Sequence, residues 1–151
     1  MNKLTTRTFT DLTGMDLIIK YRKSAIFLMK RYEDQDLVDH PLGGTYIDGK
    51  GLKHQYIFSD ETFAVIYQFL FEISDKCWNQ VKPTLANSAT ADYDDYYDRE
   101  FDNNGSLSID KNMINISGCY AQPANEDKLT RLIKFDKRKF ESFIYDFGKL
   151  I

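Results

Sequence analysis

The fold is decided by the stretch Asp60–Lys82, which reads DETFAVIYQFLFEISDKCWNQVK. Apolar residues recur in it every three or four positions, as they do along the buried face of an α-helix. That face holds Phe63, Ile66, Tyr67, Leu70, Ile73, Cys77, Trp78 and Val81. Ser59 or Asp60 can cap the start of the helix, and Pro83 marks its end. We therefore predict a long central helix of roughly 30 Å, at 1.5 Å per residue, that lies across a whole sheet.

The segment Met15–Tyr32 fits two structures. Its apolar residues also recur with helical spacing, and Thr13 and Asp16 have the spacing of a capping box. The basic residues fall on the opposite side of this helix; they are Lys20, Lys23, Lys30 and Arg31. The alternative is a hairpin, because residues 17–19 and 25–28 also suit two buried strands. We favour the helix.

Short apolar runs between turn residues predict strands on both sides of the long helix. Before it, after a loop over residues 33–44, Thr45–Ile47 and Leu52–Phe58 are expected to pair through Asp48-Gly49. After it we expect a three-stranded meander and a further strand; these are Tyr96–Phe101, Ser106–Asp110, Met113–Ser117 and Leu129–Phe135. A last helix begins at its cap, Asp136, and buries Phe140, Phe143, Ile144 and Phe147.

This order of elements predicts a single α+β domain over residues 1–151. Its antiparallel sheet has about five to six strands and packs against the long central helix, with further helices at the N- and C-terminal ends. A chain of 151 residues has the usual size of one domain and is long enough to bury a core.

Composition excludes several classes of protein. No apolar run is long enough to cross a bilayer and no signal peptide is evident, so we expect a cytoplasmic protein that does not contact membranes. Cys77 and Cys119 are far apart in the sequence and are expected to be reduced. A net charge of −3 disfavours direct binding of nucleic acid, which requires a basic surface. The four basic residues of the segment 15–32 could touch phosphates, but a solvated face is the commoner explanation, since an amphipathic helix needs one.

An acidic and aromatic segment, residues 92–102, stands out from this background. Six carboxylates against one arginine give it a charge of −5, so the rest of a chain of net charge −3 sums to +2. Solvated charges on an edge strand would explain the acids, because such charges prevent edge-to-edge pairing. Interleaved tyrosines also suit binding of Lys and Arg side chains. The candidate partner-binding residues are Asp92, Asp94, Asp95, Tyr96, Tyr97, Asp98, Glu100 and Asp102.

Motifs for metals and catalysis are weak, and we predict no catalytic residue, no metal and no cofactor. Residues 100–105 resemble the start of a calcium loop, but Lys111 occupies the position of its bidentate Glu. Asp48-x-Lys50 and Glu126-x-Lys128 match a nuclease tripeptide that chance also produces. The residues that could bind zinc are solitary in the sequence; they are His40, His54, Cys77 and Cys119.

The pattern favours a small bacterial or phage binding protein that neutralises a basic protein partner, as toxin-immunity proteins and antitoxins do. An inhibitor of a nucleic-acid-binding defence protein, encoded by a phage or mobile element, is an alternative. A small metal-dependent hydrolase and a homodimer formed through a sheet edge are further ones. Electrostatic steering by the acidic segment would make association with a basic partner fast and sensitive to salt.

Overall fold

The computed structural model is a mixed α+β fold with antiparallel sheets and two helices. The structure describes residues 5–31, 37–39, 41–43, 45–47, 54–86, 95–98, 103–117 and 129–151. The strands are β1 (Thr5–Thr10), β2 (Asp16–Arg22), β3 (Ala25–Arg31), β4 (Leu37–Asp39), β5 (Thr45–Ile47), β6 (His54–Ile57), β7 (Asp95–Asp98), β8 (Asn103–Asp110), β9 (Met113–Ser117) and β10 (Leu129–Phe135). The helices are α1 (Asp60–Cys77) and α2 (Lys137–Gly148). The predicted α+β class is thus confirmed, and the single domain over residues 1–151 stays a prediction.

The first sheet has the strand order β1-β2-β3-β10. The predicted N-terminal helix is wrong, because β2 and β3 form the hairpin that was the alternative. Leu17, Ile18 and Ile19 are all buried, and such a continuous apolar run also satisfies helical spacing. Ser24 in the tight turn adopts a left-handed φ of 72°. The predicted strand Leu129–Phe135 is confirmed as β10, which pairs with β3.

The second sheet has the order β6-β9-β8-β7 and contains the predicted meander, with β7 beginning at Asp95 and β8 at Asn103. The predicted single sheet of five to six strands is wrong, since this sheet and the first each have four. The predicted hairpin between Thr45–Ile47 and Leu52–Phe58 is also wrong. β5 pairs with β4, and β4 lies inside the segment 33–44 that was expected to be a loop. β6 pairs with β9.

Helix α1 is shorter than the predicted long central helix, with 18 residues and an end at Cys77. Its predicted cap is confirmed, because the Ser59 side chain accepts a hydrogen bond from the Thr62 backbone N–H. After Cys77 the chain leaves the helix, and residues 82–84 run alongside α2. There the backbone N–H of Lys82 donates to a Glu141 carboxylate oxygen at 2.9 Å, and that of Thr84 donates to the Glu141 carbonyl at 3.1 Å.

Helix α2 begins where the sequence predicts. The Asp136 side chain accepts from the Lys139 backbone N–H at 2.8 Å. All four predicted apolar residues of the helix are fully buried, Phe140, Phe143, Ile144 and Phe147. The Phe147 ring stacks on Phe63 of α1 at a centroid distance of 4.5 Å, so the two helices share aromatic packing.

One hydrophobic core cluster draws residues from the two four-stranded sheets and from both helices. Cys77 is buried in it as a free thiol, whereas Cys119 lies outside the described residues. Of the helices in the described ranges, neither combines the length and apolar character that crossing a bilayer demands.

Candidate functional site

Residues 95–98 of the acidic segment form an outermost strand among the described strands of the second sheet. Four of its predicted partner-binding residues, Asp95, Tyr96, Tyr97 and Asp98, form β7. The other four lie outside the described residues; they are Asp92, Asp94, Glu100 and Asp102. The register sets Asp95 opposite Ser106 and Asp98 opposite Asn103, so β7 pairs antiparallel with β8 over its whole length.

No described strand pairs with the other side of β7, since it ends the order β6-β9-β8-β7. An outermost strand of this kind carries backbone N–H and C=O groups that can pair with a strand of a partner. Charged residues on such a strand discourage unselective pairing. The position of β7 is therefore compatible with both interpretations of the acids, a solvated edge and a binding surface.

Few of the other residues singled out as possible ligands lie in the described part of the chain. Asn104 and Gly105 belong to β8, so these positions of the resemblance to a calcium loop are in a strand. His40, Asp48, Lys50, Glu126 and Lys128 lie outside the described residues. Where the chain is described, no group of three or more His, Cys, Asp or Glu side chains is placed to hold a metal ion.

Cys77 has the environment of a packing residue. Its thiol lies 3.6 Å from the carbonyl oxygen of Ala25, to which it donates. Burial raises the pKa of the Cys77 thiol to about 11. The thiol is therefore protonated near neutral pH and is a poor nucleophile there.

A buried carboxylate at the junction of the two four-stranded sheets was missed by the sequence analysis. Asp11, between β1 and β2, is only 6% exposed. Its Oδ1 accepts hydrogen bonds from Met15 N at 2.8 Å and from the backbone N–H and hydroxyl of Thr13 at 3.0 and 2.7 Å. Its Oδ2 accepts from the backbone N–H of Ile57 in β6 at 3.1 Å. The pattern Asp-Leu-Thr-Gly at residues 11–14 was the available signal, since Asp side chains commonly bond to backbone two residues on.

These bonds determine the protonation of Asp11. Burial raises its pKa, but the hydrogen bonds from Thr13, Ile57 and Met15 together outweigh that effect and hold the pKa below the ordinary value of 3.8. The carboxylate is thus charged near neutral pH and is engaged by the protein itself. Asp11 connects the sheets, and the contacts identify no catalytic role for it.

The four basic residues of the segment 15–32 do not share one face. Lys20 lies on β2 and Arg31 on β3, while Lys23 is in the turn between these strands. Lys30 is buried, at 6% exposure. The basic helical face considered from the sequence is therefore wrong, and a different set of cations is brought together by the sheet.

Neither a protein-family model, nor a curated protein, nor a solved structure significantly matches this chain.

Proposed function

We propose that this chain is a non-enzymatic, cytoplasmic binding protein that neutralises a basic protein partner through the segment 92–102. The observation that carries the proposal is the concentration of charge. The segment holds a charge of −5 within a chain of −3, and four of its residues form a strand with one unpaired side among the described residues. Occluding the active or nucleic-acid-binding surface of the partner would be sufficient, and no chemistry would be needed.

The composition of the segment suits such a partner. Carboxylates form charge-assisted hydrogen bonds with Lys and Arg, and tyrosine rings accept the same cations over their faces. A negatively charged surface also raises the rate of association with a positively charged partner, and this effect is strongest at low ionic strength. A basic toxin and a nucleic-acid-binding defence protein are the two partner classes with this chemistry.

The test is a charge-neutralised variant with a matched control. Asp94, Asp95 and Asp98 are replaced together by Asn, and the control replaces three exposed acids of α1 by their amides, Glu61, Glu72 and Asp75. Both variants lose the same charge. The partner is first retained on the tagged parent chain and identified, and the purified complex is then titrated calorimetrically at several salt concentrations.

We expect the Asp94/Asp95/Asp98 variant to lose at least about tenfold in affinity, equivalent to 1.4 kcal/mol, and much of its salt dependence. The α1 variant should keep both. Equal affinity and equal salt dependence in the two variants would show that residues 92–102 are only a solvated edge, and a partner without a basic surface would also refute the proposal.

A further inference from the structure

A second charged surface lies on the first sheet, on the side turned away from the core. Leu17, Ile19, Ile26 and Leu28 belong to the core cluster. Because side chains alternate along a strand, Lys20 of β2 and Phe27 of β3 face the opposite side. We call this opposite side the outer face; its charged and aromatic residues used below are Asp16, Lys20, Arg22, Phe27, Arg31 and Lys134.

Three of these residues form a row across the sheet. In the register, Lys20 of β2 and Lys134 of β10 are both directly opposite Phe27 of β3. Neighbouring strands are about 4.8 Å apart, so the two lysines flank the aromatic ring. The ring is half-buried, Lys20 is half-buried and Lys134 is exposed. The next row sets Ile18 opposite Met29; Ile18 is buried, and Met29 is half-buried.

The cations lie near the Phe27 ring without covering it closely. The guanidinium carbon of Arg22 is 5.5 Å from the ring centroid and the Lys134 ammonium is 5.9 Å from it. These distances are near the outer limit of a cation–π contact, about 6 Å. Arg7, by comparison, lies 4.6 Å from the Phe9 centroid and 4.8 Å from the Phe69 centroid.

The outer face is positive although the whole chain is negative. The residues named above include four cations and one carboxylate, Asp16. Asp16 lies 3.8 Å from Arg31 and accepts a hydrogen bond from the Thr10 hydroxyl at 2.7 Å. Within the described part of the chain, Lys20, Arg22 and Lys134 form no ion pair. Like charges this close repel one another, so a bound anion would be favoured there.

We propose that the outer face binds single-stranded nucleic acid, with a base stacked on Phe27 and the adjacent phosphates on Lys20, Arg22 and Lys134. An antiparallel sheet that presents an aromatic ring among cations has the chemistry required: the ring takes a base, and the cations follow the backbone. Single strands fit better than duplexes, whose base faces are already stacked on each other. An acidic protein would use the cations but would leave the ring without a role.

This inference goes beyond the proposed function and does not depend on it. It also replaces the expectation of no direct nucleic-acid contact. That expectation rested on net charge, whereas the fold separates cations on the first sheet from the acids of β7 on the second.

The test uses a fluorescein-labelled oligouridine of about ten nucleotides, within the range of site sizes of single-strand-binding sheets, and measures anisotropy over a salt series. The variants are Phe27→Leu, Phe27→Tyr and Lys134→Gln, and Lys76→Gln on exposed α1 is the charge-matched control. Thermal unfolding of each variant establishes that it is folded.

Removing the ring and removing a charge have distinguishable effects. Phe27→Leu should weaken binding at least about fivefold at every salt concentration, because a stacked base is lost, and Phe27→Tyr should restore it. Lys134→Gln should reduce the slope of log affinity against log salt by about 0.7, the value for one phosphate contact to a single strand. Lys76→Gln should change neither.

Two results would overturn the inference. Polyglutamate that binds as tightly as the oligonucleotide would assign the outer face to an acidic protein. If duplex DNA bound as tightly and Phe27→Leu kept the full affinity, the outer face would bind polyanions through its charge alone. Neither result bears on the proposed function, which is tested with the Asp94/Asp95/Asp98 variant.

Discussion

The hydroxyl of Tyr56 donates a hydrogen bond of 3.1 Å to the backbone carbonyl of Asp16, and the bond joins the two four-stranded sheets. Tyr56 is fully buried on β6 of the second sheet, and Asp16 begins β2 of the first. Burial raises the pKa of Tyr56, and the charges of Asp11 and Asp16 raise it further. The hydroxyl is therefore protonated near neutral pH and can donate this bond.

Replacing Tyr56 by Phe should lower the free energy of unfolding by about 1 kcal/mol, because the hydrogen bond is lost while the ring volume is kept. Urea unfolding followed by circular dichroism measures the change. Tyr145→Phe is the matched control, since the Tyr145 ring lies partly exposed on α2. Equal stability of the two variants would mean that the junction does not depend on this bond.

Asp11→Asn should destabilise the protein by about 1–3 kcal/mol at pH 7, because an amide cannot accept all the bonds that the buried carboxylate accepts. The exposed Asp75→Asn on α1 is the control and should be nearly neutral. Urea unfolding of both variants gives the comparison.

The contribution of Asp11 should also depend on pH. Its pKa is lowered by folding, so its stabilisation is fully present above the ordinary value of 3.8 and is lost as the pH falls through the folded-state pKa. The difference in stability between the parent and Asp11→Asn should therefore shrink below that pH. A difference that is constant down to strong acid would contradict the assigned hydrogen bonds.

Cys77 should react with thiol reagents only when the protein unfolds, because its thiol is buried and its pKa is raised to about 11. The measurement uses Cys119→Ser, in which Cys77 is the single cysteine, and follows reaction with a disulfide reagent at pH 8. Its rate should rise with urea in parallel with unfolding. A rapid reaction in native buffer would place the thiol at the surface.

Asn112 in the turn between β8 and β9 adopts a left-handed φ of 63°, and its side-chain amide donates to Asp60 at 2.6 Å. Asn112→Val should be less stable than Asn112→Gly by about 1–2 kcal/mol, because a β-branched residue is strained at this φ. Both variants lose the bond to Asp60, so their difference isolates the backbone. Thermal unfolding gives the order, and equal melting temperatures would exclude a left-handed turn.

Local signals predicted the elements whose contacts are local. Asp136 lies next to the helix that it caps, and Asn112 falls between the predicted strands Ser106–Asp110 and Met113–Ser117. The extended path after α1 is held by Glu141, far along the chain, which accepts hydrogen bonds from the backbone N–H groups of Lys82 and Thr84. Periodicity in residues 60–82 could not reveal that partner.

The same limit applies to the binding surfaces. The acidic segment was found because its charges are contiguous in the sequence, and the structure adds that residues 95–98 form an outermost strand. The outer face could not be found in this way. Lys20, Phe27 and Lys134 come from three strands, and only the register of the first sheet makes them neighbours.

The pairing of β3 with β10 has a consequence for how the chain folds. Residues 32–128 separate these strands, so the first sheet gains its fourth strand only after most of the polypeptide has left the ribosome. Until then, Ile26 and Leu28 lack the β10 residues that share their core, Ile133 and Phe135. Contacts between residues so distant in the chain slow folding and prolong the exposure of apolar strands. We expect refolding to be slow, and nascent chains that stop before residue 129 to require chaperones.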